Sequence, residues 1–178
     1  NYILNILFPA DQLNIISYNR IIKGLNNHSI IELLELCKDN FTLMMVDGPF
    51  TPQEKHSFGM YCDGKWYELL LNKNISDKND DLENIDSGIL YRYLLSPLLG
   101  IKDPKGDSRI SYVGGDKTAY QLQNLIDSSD YDIAFTLFPT TISQVISVAD
   151  AESVMPAKST WFEPKLRSGL LVYLLADN

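Results

Sequence analysis

Residues 57–71 read SFGMYCDGKWYELLL, and the Asp63-Gly64 pair near the middle decides how this stretch folds. Asp-Gly readily supplies the two successive positive φ angles that a two-residue hairpin turn demands. Ser57 to Cys62 and Lys65 to Leu71 are therefore expected as paired antiparallel strands. On the N-terminal side, Phe41 to Val46 reads as a further strand, and the proline- and glycine-containing residues 47–53 read as a loop. Before them, Ser29 followed by Glu32 is a capping-box pattern, in which each side chain satisfies a backbone N–H at the helix start. It predicts a helix from about Ile30 to Lys38, with Ile30, Leu33, Leu34 and Cys37 on its apolar face.

Still further toward the N-terminus, Tyr2 to Phe8 is expected as a strand stopped by Pro9, which cannot continue a central ladder. Asp11 to Asn27 has no clean period and reads as a structured connection. With Asn1 in place of Met and an apolar stretch directly behind it, the chain reads as the C-terminal part of something longer.

On the other side of the hairpin, five of the fifteen residues from Asn72 to Asp86 are acidic, and the segment reads as a mobile loop at 72–86. Asp86 is expected to cap a helix through about Leu94, ending before Pro97. Ile110 to Val113 reads as a strand. Gly114, Gly115 and Asp116 would then open a helix to about Asp127. Ile133 to Phe138 is a strand, Thr141 with Gln144 caps a helix to Ala149, and Leu170 to Leu175 is a closing strand. The segments NILFPADQ and FTLFPTTI hint at a pseudo-repeat, two strands delivering similar loops to one edge. The expected architecture is α+β: a mixed β-sheet with flanking helices, one antiparallel hairpin and at least one βαβ-like passage, all in a single domain spanning 1–178.

Of the 178 residues, 45% are hydrophobic and 21% charged, which is globular composition. A net charge of -8 repels phosphate backbones and argues against nucleic-acid binding. No run approaches the length of a spanning helix, so the expectation is a cytoplasmic protein without membrane contact. Two cysteines, Cys37 and Cys62, with His28 and His56 at unrelated positions, give no zinc spacing. Both cysteines are expected as buried thiols.

Three constellations carry candidate chemistry. Residues 155–168, MPAKSTWFEPKLRS, combine hydroxyls, aromatics and cations without an apolar period. Lys158, Lys165 and Arg167 suit a phosphate or carboxylate, while Ser159 and Thr160 suit a polar substrate. The alternative is that Trp161 and Phe162 plug the domain and the cations are solvated. A second group is Asp11 with Tyr18 and Arg20, where Arg20 would anchor an anion; an ordinary surface loop is the competing reading. Gly114 and Gly115 before a helix form a weaker phosphate-loop candidate, although the P-loop spacing is missing and a tight turn explains them too. No Ser/His/Asp or Cys/His arrangement can be assembled, so no residue is assigned a catalytic role and none a metal.

FPADQLNIISYNRIIKGLN (8–26), FGMYCDGKWYELLL (58–71), DSRISYVGGDK (107–117) and MPAKSTWFEPKLRSGL (155–170) resemble successive signatures of the family known as domain of unknown function 1015, over nearly all of the chain. The resemblance implies an upstream partner segment with an Asp-Gly-His-His-Arg-type motif, as in ParB-like nucleotide-binding proteins, among them a free-serine kinase. Lys158, Ser159 and Thr160 match a Lys-Thr-Thr segment that the kinase places beside its substrate; Trp161 and Phe162 stand where it has Arg-His. It further implies that this chain is the substrate side of a small-molecule phosphotransferase or nucleotide hydrolase, inactive alone, whose other half would hold ATP or ADP with Mg. A small hydroxy or amino acid would be the ligand. A ligand-sensing or protein-binding module of unknown function is the alternative, with Trp161 and Phe162 as anchors.

Overall fold

Asp63 and Gly64 stand at φ of +50° and +73°, and the two strands they join pair in register from Cys62 opposite Lys65 to Ser57 opposite Leu70. The hairpin is as expected. In a computed structural model, which describes residues 5–76, 84–165, 167, 169–170 and 172, it forms the middle of a larger sheet.

The elements run β1 (Asn14–Ile16), β2 (Tyr18–Ile22), α1 (Ile30–Cys37), β3 (Phe41–Val46), β4 (Ser57–Cys62), β5 (Lys65–Leu71), α2 (Lys73–Ser76) and α3 (Asp86–Leu90), which continues as a π-helical stretch, Tyr91–Leu95. Then come β6 (Ile110–Gly114), α4 (Ala119–Asp127), β7 (Ile133–Leu137), α5 (Ile142–Asp150) and β8 (Trp161–Glu163). Six strands form one sheet in the order β3-β5-β4-β7-β2-β6, and β1 pairs with β8 in a small second sheet. The class is α+β.

Every neighbouring pair is antiparallel. Because β6 and β7 are both antiparallel to β2, they run parallel to each other with β2 inserted between them. The passage β6-α4-β7 is thus a split βαβ unit.

The sheet is covered on both faces. Ile22, Phe58, Met60, Leu69, Phe135 and Leu137 pack toward Leu33 and Cys37 of α1 and toward Ile89, Leu90, Leu94 and Leu95. On the opposite face Ile21, Tyr61, Trp66 and Ala134 meet Ala119, Leu122 and Ile126 of α4. Burial on both faces is what removes the alternating pattern from a strand. β2 shows this best: Asn19, Arg20, Ile21 and Ile22 are all buried, and a segment that reads as a connection is a central strand.

Local chemistry sets the helix starts. Ser29 and Glu32 form the expected capping box, as do Thr141 and Gln144. The expected start of α4 is corrected: Thr118, not Asp116, is its cap, in a third capping box with Gln121. Asp86 does not cap α3 either. Ile85 holds that position, and the Asp86 carboxylate instead accepts the His56 backbone N–H at 3.1 and 3.3 Å.

Other expectations need correction. Asn5 to Pro9 is exposed and forms no strand, with Leu7 92% exposed, so the pseudo-repeat of two strands has no basis; residues 1–4 lie outside the described part. Within 72–86 the residues Lys73–Ser76 are helical, while 77–83 lie outside the described residues. Of the closing strand at 170–175, only Leu170 and Val172 are described, and neither is in a strand. Cys37 and Cys62 are free and buried, and burial pushes both thiols up to about 12. No described helix is long and apolar enough to cross a membrane.

Candidate functional site

Arg20 lies at the centre of the site because β2 is pinned on both sides. Its backbone stands opposite Phe135 of β7 and Tyr112 of β6. The side chain is on the same face as Ile22, at the end of the main core, and is only 3% exposed. Its guanidinium donates to the carbonyl of Tyr18 and, at 3.0 Å, to the carbonyl of Lys158. It also lies 5.4 Å from the centre of the Tyr112 ring.

No carboxylate among the described residues pairs with Arg20. Burial alone pushes its pKa down to about 10, with Tyr112 opposing the shift weakly. A buried charge is normally paired with its opposite. Here two carbonyls use part of the five-donor fork, and the remaining charge faces a cavity of about 560 Å³.

That cavity is bounded by Ser87 and Gly88 of α3, by Tyr91, Arg92 and Leu95 of the π-helical stretch, by Asp103, Pro104 and Lys105, and by Pro156 and Ala157. A second opening of about 720 Å³ shares Pro104, Lys105, Tyr112 and Ala157 with it and adds Lys158. The two together form a cleft edged by the cations Arg20, Arg92, Lys105 and Lys158 and by the carboxylates Asp103 and Asp107, in a chain whose net charge is -8.

The loop from Pro156 is fastened to the wall by hydrogen bonds. Ser159 is buried; its hydroxyl lies 2.9 Å from the Ser87 hydroxyl and donates to the Pro156 carbonyl. The Ser159 carbonyl accepts from the Thr140 hydroxyl at 3.0 Å. The left-handed turn at Lys158, φ +54°, aims its carbonyl at Arg20.

The sequence candidates divide accordingly. Arg20 and Lys158 edge the cleft, and Ser159 supports it from behind. Tyr18 stands beside it, with the Lys158 ammonium 5.1 Å from its ring centre and the Trp161 ring 5.1 Å away on centroids. Thr160 and Lys165 border a separate recess of about 410 Å³ with Phe8, Leu13, Phe162 and Pro164. Lys165 also stacks over Trp161 at 4.1 Å. Asp11 and Arg167 are exposed and line neither part of the cleft.

Gly114 and Gly115 serve close packing. A Cβ on Gly114 would run into the Trp161 ring, and one on Gly115 into the Ser17 backbone. They precede the α4 cap by several residues and stand apart from the helix N-terminus. Sequence reasoning did not single out Tyr91, Arg92, Lys105 or Pro104 as site residues. The one available signal was the turn DPKGD at 103–107, whose Pro, Gly and charges mark an exposed loop.

A central sheet, with a buried arginine that no described carboxylate pairs and an open cleft beside it, makes up an α+β domain. Residues 1–91 match the family described as Protein of unknown function (DUF1015), and the chain belongs to that family. The matched span is narrower than the nearly full-length resemblance and leaves out the 155–170 stretch. Among solved structures the chain is similar to a conserved hypothetical protein from Pyrococcus furiosus, at 11% identity and a TM-score of 0.51, over 85% of this chain and 56% of that one. It is also similar to free serine kinase in complex with AMP, at 13% identity and a TM-score of 0.49, over 86% of this chain and 55% of that one. A complex of a free serine kinase mutant with ADP matches at 14% identity and a TM-score of 0.46 over the same shares. The chain thus spans little more than half the length of these relatives. No curated protein matches it.

Proposed function

We propose that this chain is the substrate-side portion of a small-molecule phosphotransferase, in which Arg20 holds the anionic group of a small acid. The observation that carries the reading is Arg20: 3% exposed, without a described carboxylate, and open to the cleft. A guanidinium fork matches the two oxygens of a carboxylate or phosphate, and binding such a group supplies the missing counter-charge. Support for phosphoryl transfer in particular comes from the resemblance of Pro156-Ala157-Lys158-Ser159-Thr160 to the substrate segment of a free-serine kinase. Catalysis of that type is chiefly positioning and electrostatic stabilisation. Arg20 would fix the acid, and the Lys158 and Lys105 ammonium groups would raise the local potential for an incoming phosphoryl group.

Among the described residues no three His, Cys, Asp or Glu side chains converge. ATP or ADP with Mg would be held by other parts of the longer protein that this reading requires. The alternative of a partner-anchoring surface is disfavoured by Trp161, which spends its ring on Tyr18 and Lys165 of its own chain.

Thermal-shift measurements on the intact protein test the reading, since a ligand specific to the native state raises apparent stability. Small hydroxy acids and nucleotides are each expected to raise Tm. If neither class does, the reading is wrong.

A further inference from the structure

The walls of the cleft specify more of the ligand than its charge. Three hydroxyl-bearing side chains line the main cavity, and each is already engaged. Tyr91 donates its hydroxyl to the Lys102 carbonyl at 2.7 Å, Tyr112 to the Pro104 carbonyl at 2.9 Å, and Ser87 lies 2.9 Å from the Ser159 hydroxyl. What Tyr91 and Tyr112 leave for a ligand is chiefly ring surface. Leu95, Pro104, Pro156 and Ala157 complete an apolar wall, while Arg92, Asp103 and Lys105 are exposed at the rim.

Size points the same way. A cavity of about 560 Å³ lies within the range of sites that enclose whole drug-sized molecules, far larger than a three-carbon acid fills. A ligand rich in hydroxyls would lose its bonds to water and find few partners along these walls, whereas an apolar body gains from leaving water.

We propose that the ligand of the Arg20 cleft is an acid whose oxyanion sits on an apolar, ring-bearing body, the oxyanion against Arg20 and the ring between Tyr112, Tyr91 and the two prolines. This deepens the proposed function and rests on it. Carboxylate and phosphate present the same oxygen pair to Arg20, so the shared chemistry is an oxyanion, and the choice between them is left to the probes.

The test compares lactate with 3-phenyllactate, which share hydroxyl and carboxylate and differ by one phenyl ring, and adds phenyl phosphate. Isothermal titration of the intact protein should give 3-phenyllactate at least about tenfold tighter than lactate, from burial of the ring, while phenyl phosphate against 3-phenyllactate tells which oxyanion Arg20 prefers. Ala157→Phe, which fills the apolar part and leaves Arg20 in place, should weaken the ring-bearing probe by about tenfold and lactate little. Equal affinities for lactate and 3-phenyllactate, or an Ala157→Phe protein that binds both ring-bearing probes normally, would overturn the inference and leave the acid-binding reading standing. Failure of all three probes would remove both.

Discussion

The guanidinium of Arg20 reaches across the molecule to the backbone carbonyl of Lys158, at 3.0 Å and 138 residues along the chain. A central strand and a late loop are thereby joined at the one buried arginine of the site. Among the described residues the charge at this junction is held by two carbonyls and the face of the Tyr112 ring, none of which neutralises it. Arg20→Met should therefore abolish binding of small acids while costing little stability, because lost hydrogen bonds are offset by removal of an uncompensated charge. Arg20→Lys keeps a charge but loses the fork and should bind at least about tenfold more weakly. Titration calorimetry beside urea denaturation separates the two effects.

Asp86 gives the protein a characteristic response to pH. Burial raises its carboxyl from the ordinary 3.8 to about 7, with the His56 N–H opposing the shift. A folded pKa above the unfolded one means the contribution to stability is fully present below about pH 3.8 and is lost as pH rises through about 7. His56 acts in the opposite sense: burial lowers its pKa, so its contribution is present above 6.5 and falls away at lower pH. Asp86→Asn should raise stability at pH 8 by up to roughly 4 kcal/mol and change it little at pH 4. Urea midpoints at the two pH values check the sign.

Trp161 is half-buried, so its removal should cost less than that of a core ring. Trp161→Ala is expected to lose about 1–2 kcal/mol, the value of one aromatic pair with partial burial. Gly114→Ala should cost about 1–3 kcal/mol, since the new methyl meets the Trp161 ring. The double variant should lose less than the two separately, and thermal or chemical denaturation of the four proteins measures the coupling.

Thr118 supplies the start of α4: its hydroxyl accepts the Gln121 N–H at 3.2 Å, and its own backbone N–H donates to the Gln121 side-chain oxygen at 2.9 Å. Thr118→Ala should cost about 1 kcal/mol, visible in the denaturation midpoint, whereas Asp116→Ala should change it little.

Where local chemistry decides, the sequence was legible. The Asp63-Gly64 turn and the Ser29 and Thr141 caps are determined by a few adjacent residues, and all are found as expected. Where burial decides, the reading failed. β2 carries Asn19 and Arg20 among its buried residues, so neither alternation nor an apolar run marks it. Conversely the apolar Ile6-Leu7-Phe8 looks like a strand, yet Leu7 is exposed and unpaired. The candidate site divides in the same way. Arg20 and Lys158 were recognisable from side-chain chemistry, but the cavity wall comes from α3, its π-helical extension and the turn after it, which only the tertiary fold brings beside β2.

The position of β2 between β6 and β7 also constrains how the protein can be made. A nascent chain emitting residues 18–22 holds an orphan strand until residues 110–114 and 133–137 have followed it from the ribosome. The segment 1–91 that matches the family contains β2 but neither of its neighbours. Cut at that boundary, the fragment would expose both edges of the strand and leave Arg20 with no pocket to serve, so the span that matches the family is shorter than the smallest piece able to complete the sheet.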